Sequence, residues 1–581
     1  MARLGNPREV VLKVAEALRF LEMDGLEEPS EAEDEDEAPA DDSAASKATD
    51  SSADQATGDP NKLPPNPDVP LPLVVNQYQV LLSMLAILHP RIKTKYPSRF
   101  LSTSLQAVLA AYSKATMFHE ELTTSTVQLI IALAELKRPH LPPRRSSSSI
   151  LLASTARTAP DPEAHSDPPS NEELAMQRRL FQSLLTHVFE DYMLSLHSSE
   201  DVPGLAWSSR LEEKLHPERI VPGKITNHEQ FEKSDKLQLL LGTVGQLVAL
   251  AQDLEIDSDE LFKIITDLEP EEAGHPAEED EPPSAPKDIP LSKTGSLFLF
   301  TARKAAEELY SRPKSTKDVA IFPHHAVLLK NFVGGVSRAT IGLEPESLID
   351  TILFLGLTAI ERNDIGVPAS DDEFAEYLQN TSLLSANTPS ASLRYGAHVV
   401  TSTVLHSHPH DLARLTFIRD TLEHCPYANL KASAVSWLKT ETLLANGAPA
   451  AFDAPTTPPS IFATPVALSA LTPSLFPDLS AAFAADNNAA ALLRLRDNAS
   501  FFLAALNFYY LVLRARHLWG PLDVRALAAR SAVEAGFVEP LRALCGRVRA
   551  AGFEDEHDAV EVALLEGVVA DVEVAREALG E

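Results

Sequence analysis

The chain has 581 residues, a formal net charge of −33 and an apolar content of 44%. This length is too great for one hydrophobic core and predicts several domains or an elongated repeat array. The charge argues against nucleic acid and anionic membranes as partners, because both repel an acidic surface.

The sequence as a whole predicts an all-α fold. Leu, Ala and Glu dominate, while runs that alternate in the manner of strands are few. The first predicted element is a helix in residues 1–25, which Asn6 can cap, Pro7 can open and Gly25 can end. An acidic linker follows at residues 26–70, where acids outnumber lysine so strongly that we predict disorder.

Residues 71–137 are predicted to form a helical section. Its first apolar run stops at Pro90, and Pro97 can open the next helix. Short connections between these helices indicate antiparallel neighbours. A linker rich in Ser and Pro, residues 138–169, ends the section.

A second helical section is predicted for residues 170–268. Ser170 and Glu173 form an S-x-x-E capping box at its start. The acidic, Pro-rich residues 269–290 are predicted to be the next linker.

The clearest repeat signal lies in residues 291–447. A helix ends before Pro409, and residues 411–423 and 429–444 then form a predicted pair around a tight turn. Two helices of similar length joined in this way are the unit of HEAT and armadillo stacks. Because no strict period repeats, we predict an irregular HEAT/armadillo-like stack.

The last section is predicted for residues 479–581, after an Ala/Pro/Thr linker at residues 448–478. Residues 498–513 read as a helix that is apolar on every side. Such a helix must be covered by others.

No catalytic, cofactor or metal site is predicted. The sequence contains no Walker loop, G-x-G-x-x-G, G-x-S-x-G, H-E-x-x-H or C-x-x-C motif. His406, His408 and His410 alternate around Pro409, and imidazoles this close can hold zinc. They lack a Cys or carboxylate set at finger spacing and lie at a helix end, so we predict no metal there. We likewise predict no metal at the neighbouring His324 and His325.

The two cysteines, Cys425 and Cys545, are too few for a disulfide framework and fit a reducing compartment. Cys425 precedes a predicted helix N-terminus, which can lower the pKa of a thiol, so it is a candidate redox thiol. The alternative is a small side chain packed in a tight turn. Packing explains Cys545.

Ser147 is a candidate phosphosite, because Arg144 and Arg145 precede it in a linker. The alternative is an unmodified spacer. The chain start shows no signal peptide, and the nearest approach to a membrane span, residues 499–513, is too short. We therefore expect a cytoplasmic protein, with the nucleus as a further location.

Several runs resemble the fungal YAP-binding protein family, which is grouped with Alf4 and glomulin. The runs are residues 322–332, 392–409, 418–427, 430–439 and 497–511. The resemblance implies a HEAT-like scaffold that binds a bZIP transcription factor and supports its activation in the oxidative stress response. The alternatives that it leaves open are a glomulin-like regulator of the RING subunit of a cullin ubiquitin ligase and a kinetochore scaffold. We place the partner surface in residues 291–444 or in the C-terminal section.

Overall fold

The computed structural model describes residues 1–23, 71–134, 161–162, 169–196, 202–268, 285–334, 340–447, 459–483, 488–529, 533–551 and 556–580. Regular structure in these ranges is helical, with no β-strand among them, so the all-α prediction is confirmed. The first ten helices are α1 (Pro7–Arg19), α2 (Leu73–Leu88), α3 (Pro97–Tyr112), α4 (His119–Leu133), α5 (Asn171–Leu194), α6 (Trp207–Leu215), α7 (Asn227–Lys233), α8 (Asp235–Asp253), α9 (Ser258–Thr266) and α10 (Lys293–Tyr310). The others are α11 (Ala326–Phe332), α12 (Glu346–Glu361), α13 (Asp371–Asn387), α14 (Ala391–Ser407), α15 (Asp411–His424), α16 (Ala428–Gly447), α17 (Pro465–Leu475), α18 (Asn488–Arg514), α19 (Val524–Ala528), α20 (Glu539–Ala551) and α21 (Glu556–Gly580).

The helices divide between two compact units. The first unit comprises Met1–Ser195, Leu239–Asp257 and Gly274–Gly295, and therefore holds α1 to α5 and most of α8. The second comprises Leu196–Gln238, Ser258–Ala273 and Ser296–Glu581. Each unit has its own buried apolar core.

In the first unit, the predicted start of α1 is confirmed. The side chain of Asn6 accepts a hydrogen bond from the Arg8 backbone N–H, and Pro7 opens the helix. The helix packs against α2 and α3, and α2 packs against α4. Between α2 and α4 a buried hydrogen bond joins the hydroxyls of Tyr78 and Thr126 at 2.8 Å, which satisfies both groups inside the core.

The predicted capping box at the start of α5 forms only in part. Ser170 Oγ accepts from the Glu173 backbone N–H at 3.2 Å, as expected. The Glu173 carboxylate does not return to Ser170. It accepts from the backbone N–H of Ser98, in the first turn of α3, and so caps a neighbouring helix.

The most buried helix of the second unit is α12. Thirteen consecutive residues, from Ser347 to Ala359, are buried. The helix packs against α6, α14 and the π-turn Ile321–His325.

Asp350 of α12 caps α6 from outside. The residue before α6, Ala206, has no capping side chain and a φ of 46°. The Asp350 carboxylate accepts from the backbone N–H groups of Trp207 (2.8 Å) and Ser208 (2.9 Å) and from the Ser208 hydroxyl. Burial raises the pKa of this carboxyl to about 6, although the hydrogen bonds act in the opposite direction.

The helices from α13 to α16 form consecutive antiparallel pairs with short connections, as the repeat signal predicts. The predicted pair at residues 411–444 is α15 and α16, with Leu430, Ala434 and Trp437 of α16 buried. The section therefore is an irregular, HEAT-like stack of helix pairs.

The predicted apolar helix at residues 498–513 belongs to the longer α18. It lies between α16 and α21, and Phe501, Phe502 and Tyr509 are buried. The side that carries Asn507 faces solvent, so the expected cover on every side is incomplete there.

The predicted linker at residues 448–478 is wrong in its second half. Residues 465–475 form α17, which packs against α15 and buries Leu468 and Leu471. Thr464 caps this helix and Pro465 opens it, a start signal that the Pro-rich composition obscured.

The other predicted linkers lie mostly outside the described residues. This is the case for residues 26–70 and for most of 138–169 and 269–290. Two short segments of these linkers are described, and both belong to the first unit. Asp161 is buried and pairs with Arg8 at 3.3 Å, and Ile289, after a 3-10 turn, is also buried.

Candidate interaction surfaces

The outer face of α2 is an open apolar stripe. Its inner face buries Val75, Tyr78, Leu82, Leu85 and Leu88, whereas Leu73 and Val80 are 72% and 59% exposed. Met84 and Ile87 lie half-exposed on the same side. The spacing between residues 73, 80, 84 and 87 places them along one line of a helix.

The same helix is long and apolar enough to cross a membrane, in the window Leu73–Arg91, of which 28% is buried. This corrects the sequence analysis, which placed the nearest approach to a span at residues 499–513. The inner face of α2 is part of the core of the first unit, and its Tyr78 hydroxyl is hydrogen-bonded there. These contacts are those of a core helix in a folded unit.

A groove of about 650 Å³ runs beside this stripe. One wall is the side of α2 that carries Gln79, Ser83 and Ala86, and the other wall is α4. The buried side chains of Leu82 and Leu129 contribute to its lining, and Glu120 and Glu121 line it at the start of α4. A partner helix laid along α2 would therefore meet apolar side chains in a concave surface.

The charge around α2 differs from that of the chain as a whole. Between Asp68 and Glu120 the sequence has no Asp or Glu. Its cations are Arg91, Lys93, Lys95, Arg99 and Lys114.

Two of these cations lie around an aromatic ring. Lys95 and Arg99 are 5.5 Å and 5.2 Å from the ring centroid of the exposed Tyr96. The surface after α2 is thus basic in a chain of net charge −33. An acid-free stretch in an acidic chain was a signal that the sequence analysis missed.

The second unit has a larger groove, of about 770 Å³, between the α6–α7 region and the start of α14. Val221 and Ile225 are 63% and 54% exposed at its edge, and Tyr395 lines the other side. The acids in its lining have partners. Glu212 pairs with Arg219 at 3.3 Å, and Glu213 accepts two backbone N–H groups at the start of α7.

The structure separates His406 from His408 and His410, the three histidines that alternate in the sequence. His406 Nδ1 lies 2.7 Å from Glu441, which also pairs with Arg414 at 3.0 Å. His408 and His410 lie at the turn between α14 and α15 instead. The two ring nitrogens of His325 are hydrogen-bonded to the Tyr377 hydroxyl and the Ile352 carbonyl, so neither is open to a metal ion.

The environment of the cysteines favours packing over reactivity. Cys425 is half-buried, and burial raises the pKa of its thiol, the opposite of what a redox thiol requires. Burial also raises the pKa of Cys545 to about 11. The candidate phosphosite Ser147 lies outside the described residues.

The model of the YAP/Alf4/glomulin protein family matches residues 1–573, nearly the whole chain. No curated protein and no solved structure matches it.

Proposed function

Because the chain belongs to the YAP/Alf4/glomulin family, whose type is a non-catalytic helical adaptor or scaffold, we propose that it binds a bZIP transcription factor. Through this contact it supports activation of the factor in the oxidative stress response, in the cytoplasm and the nucleus. The observation that carries the proposal is the open apolar face of α2. A face of this kind is what an adaptor needs in order to hold a helical segment of a partner.

The position of the surface departs from our expectation from sequence. We placed the partner surface in residues 291–444 or in the C-terminal section. The groove at Val221 and Ile225 reaches that region through the start of α14. The α2 face is the better candidate because it combines an apolar stripe with a neighbouring basic patch.

The charges indicate which segment of the factor binds. The basic region of a bZIP factor would be repelled by Lys93, Lys95 and Arg99. An amphipathic segment fits the surface when its acidic residues lie towards Lys93, Lys95 and Arg99 and away from Glu120 and Glu121, which line the groove. We therefore propose that the docking segment is acidic and lies outside the DNA-binding region of the factor.

Affinity purification from peroxide-treated and untreated cells tests the proposal. The expected result is recovery of a bZIP factor, with a greater yield after peroxide. Recovery of a cullin RING subunit without any bZIP factor would contradict it and favour the regulator of a ubiquitin ligase. A strain that lacks the gene should lose peroxide resistance, whereas normal resistance with altered levels of cullin substrates would overturn the proposal.

A further inference from the structure

Three side chains with metal-binding atoms converge where α14 meets α15. They are His408, His410 and Asp371, and one ligand atom of each lies within 4.8 Å of the other two. His408 Nε2 is 4.0 Å from Asp371 Oδ1, and the two imidazole rings have centroids 5.4 Å apart. The sequence alone did not predict this group, because Asp371 comes from a different helix, α13.

The surrounding structure holds the buried member of this group in place. The ring of His408 is buried and lies 4.2 Å, centroid to centroid, from the ring of Phe374. Phe374 is on α13, one turn after Asp371, so the helix that carries the carboxylate also packs against the buried histidine. Pro409 restricts the backbone between the two histidines.

We propose that His408, His410 and Asp371 bind a zinc ion. Two imidazole nitrogens and one carboxylate oxygen are a ligand set that zinc takes in tetrahedral sites, at bond lengths of about 2.0–2.2 Å. Magnesium and calcium prefer sets made of oxygen alone. A cavity of about 480 Å³ adjoins the group and leaves room for a water molecule as the fourth ligand.

Zinc binding costs one hydrogen bond at this site. His408 Nδ1 accepts from the backbone N–H of His410 at 3.2 Å. With zinc on Nε2, the neutral ring carries its proton on Nδ1, and this hydrogen bond breaks. Three metal–ligand bonds replace it, and they join the start of α13 to the turn between α14 and α15.

Isothermal titration of the full chain with zinc tests the site, with magnesium as the comparison metal. We expect one equivalent of zinc to bind and magnesium not to compete. His410→Ala and Asp371→Asn remove exposed ligands, so both variants should fold. Each should weaken zinc binding by at least about tenfold, since even the loss of a supporting partner costs about 10- to 100-fold.

The control is His424→Ala. His424, Asp420 and Glu423 form a second group of metal-binding side chains, all exposed, which is the nearest competitor in the described residues. This variant should bind zinc like the wild type. Zinc affinity that survives both His410→Ala and Asp371→Asn, or that is lost in His424→Ala alone, would overturn the proposal, as would the absence of stoichiometric binding.

A second measurement reports on geometry. Cobalt(II) bound to the full chain should give the strong visible absorption of a four-coordinate ion, and this absorption should disappear in His410→Ala. A weak spectrum typical of six-coordinate cobalt, unchanged in the variant, would contradict the proposed ligand set. Neither result depends on which protein the adaptor binds.

Discussion

Helices α2 and α12 have the same length but differ in how many of their residues are buried. Each has 16 residues and is strongly apolar in sequence, yet α12 buries thirteen of them and α2 buries five. The elements that pack around α12 include α6, α14 and the π-turn, whereas α1 and α4 leave the outer side of α2 open. Apolar composition therefore shows that a helix needs a cover, and the exposed side of α2 is where we propose that another molecule supplies it.

The comparison predicts that substitutions in α12 act on stability. Within α12 the largest effect is expected for Asp350→Ala, which leaves the Trp207 and Ser208 backbone N–H groups buried without an acceptor. The free energy of unfolding should fall by about 3 kcal/mol, as measured by urea denaturation. The control Asp571→Ala removes an exposed carboxylate and should change it by less than about 0.5 kcal/mol. Equal effects of the two substitutions would show that Asp350 does not cap α6.

The pH dependence of Asp350 has a defined sign. Burial raises its pKa from 3.8 to about 6, so the folded state binds the proton more tightly than the unfolded state. Its contribution to stability therefore increases as the pH falls from 6 towards 4. The unfolding free energy of the wild type minus that of Asp350→Asn should increase from pH 7 to pH 5. A decrease of this value over the same interval would contradict the raised pKa.

A smaller loss is expected for Gly356→Ala. The added Cβ would lie 2.9 Å from His325 Nε2, and His325 cannot move away without breaking its hydrogen bonds to Tyr377 and Ile352. Overpacking should cost about 1–2 kcal/mol after the gain in helix propensity. Thermal unfolding measures this loss.

Gly567→Ala is the matched control, since no atom lies within 4 Å of its added Cβ. This substitution in α21 should stabilise the protein by about 0.5–1 kcal/mol. The two glycines thus predict opposite signs. If Gly356→Ala stabilised the protein, α12 would not be tightly enclosed, and its contrast with α2 would fail.

On the open face of α2, substitutions should leave the fold intact. Val and Asp have similar helix propensities and Val80 is exposed, so Val80→Asp should change stability by less than about 0.5 kcal/mol. On the inner face of the same helix, Leu82→Ala should cost about 2–5 kcal/mol. Urea denaturation of both variants checks the asymmetry, and a large loss in Val80→Asp would mean that the outer face is already covered.

The smallest effect is expected at Cys425. Because burial raises the pKa of its thiol, the rate of alkylation should rise only above the pH at which a free cysteine ionises, about 8.5. Cys425→Ser should leave peroxide tolerance unchanged. Rapid alkylation near pH 6, or lost tolerance in a folded variant, would restore the redox hypothesis.

Local sequence rules predicted much of the fold. The start of α1 follows from Asn6 and Pro7, and the α15–α16 pair follows from apolar periodicity around a short turn. Both depend on residues close in sequence. The short helix α6 gave no such signal, because it is capped by Asp350 from a helix more than 100 positions away.

The sites were less accessible to prediction for the same reason. The three alternating histidines seemed a unit in sequence, but His406 pairs with Glu441, while Asp371 joins the other two. The α2 face could not be found from composition, since α2 and α12 are both apolar. Only the absence of acids between Asp68 and Glu120 marked that region in the sequence.

Direct binding to the bZIP factor tests the central claim most sharply. The purified full chain, Val80→Asp on the α2 face and Ile225→Asp on the groove of the second unit should be titrated with the factor. We predict that Val80→Asp weakens binding at least about tenfold, or 1.4 kcal/mol, while Ile225→Asp binds like the wild type. Unchanged affinity in Val80→Asp, with loss in Ile225→Asp, would contradict the assignment of the docking surface to α2.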